Sequence, residues 1–245
     1  MHDPRQPQIA RDANGGRHMT FSIVARCRNT GMLGVAVTSS SPAVTARCAF
    51  AEAGVGAVAT QNITDPSLGP RALALLRAEA DALETIDTLL SSSKHMAYRQ
   101  VMVIDRSGDT AIHSGAEILG VWGEAATKNA AAAGNLLGDK SVPRSMILAF
   151  EETENTAMHL ADRLVDALKS GLAAGGEAGP VHSAGIKVVD RVSWPIVDLR
   201  IDWTDGCPIS ELEALWQRYK PQMDDYVTRA LDPSAAPSYG VPGNE

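Results

Sequence analysis

The stretch that decides the reading is Met19-Thr20-Phe21-Ser22-Ile23-Val24-Ala25-Arg26. β-Branched and aromatic side chains crowd it, which favours a strand. How that strand begins matters more than that it forms. If translation starts at Met19 and this methionine is removed, Thr20 is the first residue. An N-terminal threonine carries a hydroxyl nucleophile and a base in one residue. Its α-amine has a reference pKa of ~8, so a useful fraction is neutral at physiological pH and can take the hydroxyl proton directly or through one water. Residues 1–18 (MHDPRQPQIARDANGGRH) precede Met19. They mix Pro, Gly and charge without the apolar centre of a signal peptide, and are expected to be a disordered leader or extension. Self-cleaving precursors often carry a small residue such as Gly before the nucleophile; Met19 fits initiation better.

The chain has 245 residues, of which 44% are hydrophobic, enough for one globular domain with a sizeable core. That domain is expected over 19–231, followed by a flexible Pro/Gly/Ser tail over 232–245. Aromatic residues make up only 4% of the chain, so the core must be built from Ala, Val, Leu and Ile. A net charge of −7, without long runs of one sign, argues against nucleic acid and anionic membranes as partners. The three cysteines, Cys27, Cys48 and Cys207, are odd in number and widely spaced. They offer no disulfide framework and no metal signature, and fit a reducing, cytoplasmic location. No stretch is long and apolar enough to span a bilayer. The histidines show no HExxH pattern, and Gly54-Val55-Gly56 lacks the helix a dinucleotide site needs. Neither a metal nor a cofactor is expected.

In order, the pattern predicts strands over 21–27, 33–38 and 54–62, with an Ala-rich, helical or irregular stretch at 43–53. Helices are expected over 66–78, with Asp65 as N-cap and Pro66 at the first position, and over 81–92. A hairpin follows over 98–105 and 110–114, then a small-residue strand over 129–137. Helices over 143–152 and 156–172 lead into a mobile glycine-rich connection at 171–179. Strands over 185–190 and 196–202 and an amphipathic helix over 209–231, kinked at Pro221, close the chain. Hairpins outnumber strand–helix–strand crossovers. That excludes a doubly wound parallel sheet and favours antiparallel sheets covered by helices, an α+β class.

A set of motifs in this order resembles a known family: TFSIVAR (20–26), LGVAV (33–37), AGVGAVATQ (53–61), LGPRAL (68–73), YRQ (98–100), DRSG (105–108), HSG (113–115), AGN (133–135) and SA (183–184). The resemblance is to the family catalogued as domain of unknown function 1028. It covers nearly all of residues 20–231. That family resembles a branch of the N-terminal-nucleophile (Ntn) hydrolases, which implies a four-layer αββα sandwich of two stacked antiparallel sheets with helices on both outer faces. It places Thr20 at the first residue of the mature chain. The commoner members carry Ser-Lys or Ser-Arg where this chain has Ser39-Ser40, and often Gln where His182 precedes Ser183-Ala184.

The implied site has Thr20 as nucleophile and Asn62 holding the oxyanion. Ser39, Ser40, Thr60, Gln61, Arg99, His113 and Asn135 are expected to line the substrate. Gln61, Asn62 and Asn135 are amides of the kind oxyanion stabilisation uses, although each alone is as well explained as a strand or turn cap. The implied activity is hydrolysis of an amide bond in a small molecule or peptide, without cofactor. The alternative is an inactive binding or scaffolding protein on the same fold. Self-association into a homo-oligomer is compatible with either.

Overall fold

The computed structural model describes residues 19–241. The expected leader and the last four residues of the expected tail lie outside the described residues. A hairpin of β1 (Thr20–Arg26) and β2 (Leu33–Ser39) opens the domain. A one-turn helix α1 (Thr45–Cys48), β3 (Ala49–Glu52), β4 (Gly56–Asn62), and helices α2 (Leu68–Arg77) and α3 (Ala82–Ser92) follow. Next come β5 (Arg99–Asp105), β6 (Thr110–Ser114), β7 (Gly123–Thr127) and β8 (Ala130–Asn135). The chain then forms α4 (Val142–Glu152), α5 (Leu160–Ala173), β9 (Ser183–Val189), β10 (Val197–Ile201), α6 (Pro208–Tyr219) and α7 (Met223–Leu231). One sheet has six strands in the order β10-β9-β2-β1-β8-β7, and the other has four in the order β3-β4-β5-β6. All pairings between these strands are antiparallel.

Strand alternation sorts side chains into layers. On β1, Phe21, Ile23 and Ala25 enter the apolar cluster shared with α4–α7, whereas Val24 enters the cluster between the sheets. Directly opposed residues share a face, so Thr20, Ser22 and Val24 look into the gap together with Ser39, Val37 and Val35 of β2 and Asn135, Ala133 and Ala131 of β8. From the other sheet, Ala57 and Ala59 of β4 and Met102 and Ile104 of β5 meet them. A third cluster packs Val58, Val101 and Val103 against α2 and α3. The molecule is therefore an αββα sandwich, as the hairpin-rich order predicts. Among the described residues, the strand pairings and the three apolar clusters lie at Thr20 or beyond, and Met19 is the one buried apolar residue before it. Four consecutive alanines in β8 are poor strand formers. All four are fully buried, Ala130 and Ala132 in the cluster under the helices and Ala131 and Ala133 in the cluster between the sheets.

Several expectations change. The Ala-rich 43–53 stretch splits into α1 and the edge strand β3, and the third predicted strand begins at Gly56 after a turn in which Val55 N–H donates to Glu52 O (3.1 Å). β7 was not predicted; its Gly-Glu-Ala-Ala-Thr sequence has no strand signal, and pairing with β8 alone makes it a strand. Asp65 does not cap α2; its carboxylate takes Ser67 N–H (3.0 Å) and Oγ–H (2.7 Å) in the preceding turn. Asp81, by contrast, caps α3 in a reciprocal capping box with Glu84. The last helix breaks at Pro221 into α6, a 3-10 turn (Lys220–Gln222) and α7. The glycine-rich connection is pinned: Gly138 N–H donates to Gly176 O (2.9 Å), Gly176 N–H to Gly171 O (3.0 Å) and Ala178 N–H to Leu136 O (3.1 Å). Of the expected tail, residues 232–241 are described; Arg229 reaches back to donate to Pro237 O (3.0 Å) and stacks its guanidinium on Tyr239. Among the described residues, no helix is long and apolar enough to cross a membrane.

Candidate active site at Thr20

Thr20 begins β1 at the end of the gap between the sheets, opposite Ser39 on one side and Asn135 on the other. Its hydroxyl donates to Ser39 Oγ at 3.2 Å. Ser39 Oγ also accepts Ser41 N–H (3.0 Å) and donates to the carbonyl of Met19, so all of its hydrogen-bonding capacity is engaged beside Thr20. The exit of β2 is braced from β9: His182 N–H donates to Ser39 O (2.9 Å), Ser183 Oγ donates to Ser41 O (2.6 Å), and Thr38 Oγ1 donates to Ser183 O (2.9 Å). Asn135 is buried and its Nδ2 has no hydrogen-bond partner among the described residues. A buried amide donor without an acceptor is costly, and this one sits at the register position facing Thr20.

Below Thr20 on the same face, Ser22 Oγ donates to Gln61 Oε1 (2.5 Å). Gln61 Nε2 donates to Gln100 Oε1 (2.8 Å) and Ala133 O (3.2 Å), and Gln100 Nε2 donates to Ser114 Oγ (3.1 Å), which donates to Glu124 Oε2 (2.5 Å). This polar chain crosses the gap from β1 to β7 and forms a rigid floor under the threonine.

Other predicted site residues are not brought to the hydroxyl. Asn62 follows Gln61, so its side chain leaves the gap; it takes up φ 70°, donates Nδ2–H to Tyr98 O (2.7 Å) and accepts Leu119 N–H (3.2 Å) on Oδ1. Both ends of its amide are spent on loops, which corrects the expectation that it faces the oxyanion. Thr60 and His113 point to the helix-covered face of the four-stranded sheet, where Thr60 Oγ1 donates to Asp65 O (3.4 Å) and His113 Nε2 pairs with Met96 O (2.8 Å). Arg99, opposite Asn62, donates to Ile63 O. These four are implied by the family resemblance, and strand alternation turns them away from the gap. Ser39, Ser40, Gln61 and Asn135 are gathered at or beneath Thr20.

Glu177 was missed. It follows Gly175 (φ 129°) and Gly176 (φ 52°), backbone conformations that turn the connection inward. It pairs with Leu137 as an isolated bridge and is only 6% exposed. Its Oε2 accepts Ser40 N–H (3.1 Å), while its Oε1 is buried without a partner among the described residues. Burial pushes the carboxyl well above the ordinary carboxylate range, and the Ser40 hydrogen bonds offset this only in part. The one sequence signal was a lone acid in a run of small residues. Among the described residues, no group of three or more His, Cys, Asp or Glu side chains is placed to hold a metal. A surface hollow lined by Ala51–Ala53, Arg77, Val189 and Pro195 lies at the opposite end of β9 from Ser183.

No protein among the curated ones matches the chain. A crystal structure from Silicibacter pomeroyi, described by the same family model, is 30% identical, with a TM-score of 0.75, and covers 82% of this chain and 89% of that one. The Anbu (ancestral beta-subunit) protein of Yersinia bercovieri aligns at 12% identity with a TM-score of 0.38, over 84% of this chain and 97% of that one. The model of the family of unknown function DUF1028 matches residues 20–212, from the candidate nucleophile into α6, and the chain belongs to that family.

Proposed function

We propose that this protein, with Thr20 as its free N-terminus, is an amide hydrolase acting on a small molecule or peptide. Thr20 Oγ attacks the carbonyl carbon as its proton passes to the α-amine of the same residue. Ser39 Oγ and Asn135 Nδ2 flank the threonine and supply donors to the developing oxyanion. The amide C–N bond then breaks, the leaving nitrogen takes the proton from the amine, and water hydrolyses the Thr20 ester. The observation that carries this reading is the unpartnered, buried Asn135 Nδ2 opposite a gap-facing Thr20. In the structure described here, Met19 is linked to Thr20 and buried over it, and a chain that keeps this linkage has no free amine for the base. That arrangement favours the second reading, a binding protein on the same fold, for any population that retains residues 1–19.

The test is intact mass followed by acylation. A chain beginning at Thr20 should gain one acetyl group from p-nitrophenyl acetate, mapped to Thr20, and Thr20→Ala should gain none there. Thr20→Ser should retain part of the reactivity. Equal labelling of the Thr20→Ala protein, or full reactivity with residues 1–19 attached, removes the mechanism and leaves the binding reading.

A further inference from the structure

Met19 fills the space beside the candidate nucleophile, and what holds it describes a pocket. The residue is 3% exposed. Its N–H donates to Ser40 Oγ (2.9 Å) and its carbonyl accepts from Ser39 Oγ. Its terminal methyl lies over Gly179, where an added Cβ would come within 2.8 Å of it, so the absence of a side chain there makes room for the end of the thioether. Glu177 stands behind Ser40, its Oε2 on Ser40 N–H and its other oxygen buried without a partner. Carbonyl, amine position and side chain of one amino-acyl group thus each have a defined contact.

The carbonyl carbon that precedes a threonine lies within reach of that threonine's own Oγ, which is why peptide bonds before Ser and Thr can undergo N-to-O acyl shift. An acyl group esterified on Thr20 Oγ therefore falls in the neighbourhood that the Met19 acyl group fills. We infer that, once Thr20 is the N-terminus, the vacated Met19 pocket binds the acyl half of the substrate and selects an α-aminoacyl amide with a free amine and an unbranched apolar side chain. This rests on Thr20 being the nucleophile. The substrate carbonyl takes the place of Met19 O on Ser39 Oγ. Its ammonium takes the place of Met19 N–H on Ser40 Oγ, one residue in front of Glu177. Its side chain runs over Gly179, where an unbranched chain fits.

Charge supports the choice of a free amine. Among the described residues no cation pairs with Glu177, and burial raises the pKa of its carboxyl well above the ordinary carboxylate range. A substrate ammonium brings the missing positive charge into a site of low dielectric, where an opposite charge favours the ionised acid. Binding then draws the pKa of the Glu177 carboxyl back down. The reaction stays the one above: the acyl carbon–oxygen bond forms on Thr20, the amide nitrogen leaves with the hydroxyl's proton, and water frees the amino acid.

The experiment uses the chain beginning at Thr20 with three p-nitroanilides: L-methionyl, N-acetyl-L-methionyl and L-valyl. The methionyl anilide should exceed the other two in kcat/KM by at least about tenfold, a factor of the size one badly fitted or uncompensated group produces. Glu177→Gln should erase the preference for the free amine and keep the preference for methionyl over valyl. Independently of turnover, L-methioninamide should raise the melting temperature of the Thr20→Ala chain, and N-acetyl-L-methioninamide should not. Labelling of Thr20 by p-nitrophenyl acetate separates the two ideas. If Thr20 is labelled but the anilides are cleaved equally or not at all, the pocket is wrong and the nucleophile stands. If Thr20 is not labelled, the nucleophile reading falls and the pocket falls with it.

Discussion

Glu177→Gln tests the environment of the candidate site without any substrate. The substitution keeps the size of the group and leaves an oxygen to accept Ser40 N–H, but removes the ability to ionise. In the native protein burial raises the carboxyl's pKa well above its ordinary 4.5. The unfolded chain ionises Glu177 near that ordinary value while the native state still holds the proton. The native state thus binds more protons over the interval between the two, and stability must fall there as pH rises, by up to about 1.4 kcal/mol per pH unit. Below the ordinary value both states are protonated and the difference vanishes. Above the native value both are ionised and the loss is complete. The amide has its own cost, since its NH2 replaces the unpartnered oxygen and finds no acceptor, about 1–3 kcal/mol. That cost is the same at every pH. The diagnostic is therefore the slope: urea unfolding of wild type and Glu177→Gln followed by circular dichroism at pH 5, 6, 7 and 8. The variant should gain stability relative to wild type as pH rises from 5. Parallel stability curves would refute a protonated, uncompensated carboxyl at this position.

Three substitutions probe the candidate site, its floor and the outer helix layer. Asn135→Ala removes a donor that makes no hydrogen bond in the resting structure, so it should lower kcat on an amide substrate by about a hundredfold or more with little change in KM or melting temperature; a loss confined to KM would assign Asn135 to ground-state binding. Ser22→Ala takes the donor from Gln61 Oε1 inside the gap and should cost about 1–3 kcal/mol in denaturant unfolding, whereas an unchanged midpoint would mean the floor tolerates a gap in its polar chain. Gly69→Ala would put a Cβ 2.2 Å from Phe50 Cδ2, and should destabilise by about 1–3 kcal/mol as α2 is pushed from the sheet; a neutral effect in thermal unfolding would show that the ring swings aside freely.

Much of the sandwich was legible because its hairpins are punctuated: Asn29 to Gly31 and Ser107-Gly108 announce turns between β-rich runs. What the pattern could not give was the face of each strand. β1 is buried on both sides, so Phe21 and Ile23 look no different in sequence from Val24, although the first two pack under helices and the third lies between sheets. The same ambiguity separates the site residues. Position near a strand end says which end of the sheet a side chain occupies, but parity says which face. Gln61 and Gln100, directly opposed, share the gap. Asn62 and Arg99, one residue along, leave it. Of the three amides proposed for the oxyanion, the register alone would have separated Asn135 from Asn62, had the pairing of β1 with β8 been known. β3 (AFAE) and β7 (GEAAT) are short edge strands built mostly of Ala, Gly and Glu; pairing partners, not their own propensities, make them strands.

Glu177 shows a different limit. Its neighbours Gly175, Gly176, Ala178 and Gly179 have no periodicity, and such a run reads as slack. Here the glycines serve shape: two of them take positive φ, and a third leaves the space that the Met19 methyl fills. A run chosen for backbone freedom folds back over the end of β2 and carries one acid into a site where no described cation meets it. Thr20 and Glu177 lie far apart in sequence and both face Met19 and its serine contacts, one through Ser39 and the other through Ser40. Removing Met19 would thus do two things at once: free the amine that the nucleophile needs, and open the space in front of the acid. On the proposed reading a single processing step creates both the base and the binding pocket, so the hydrolase and the binding protein differ first in whether Met19 is still attached.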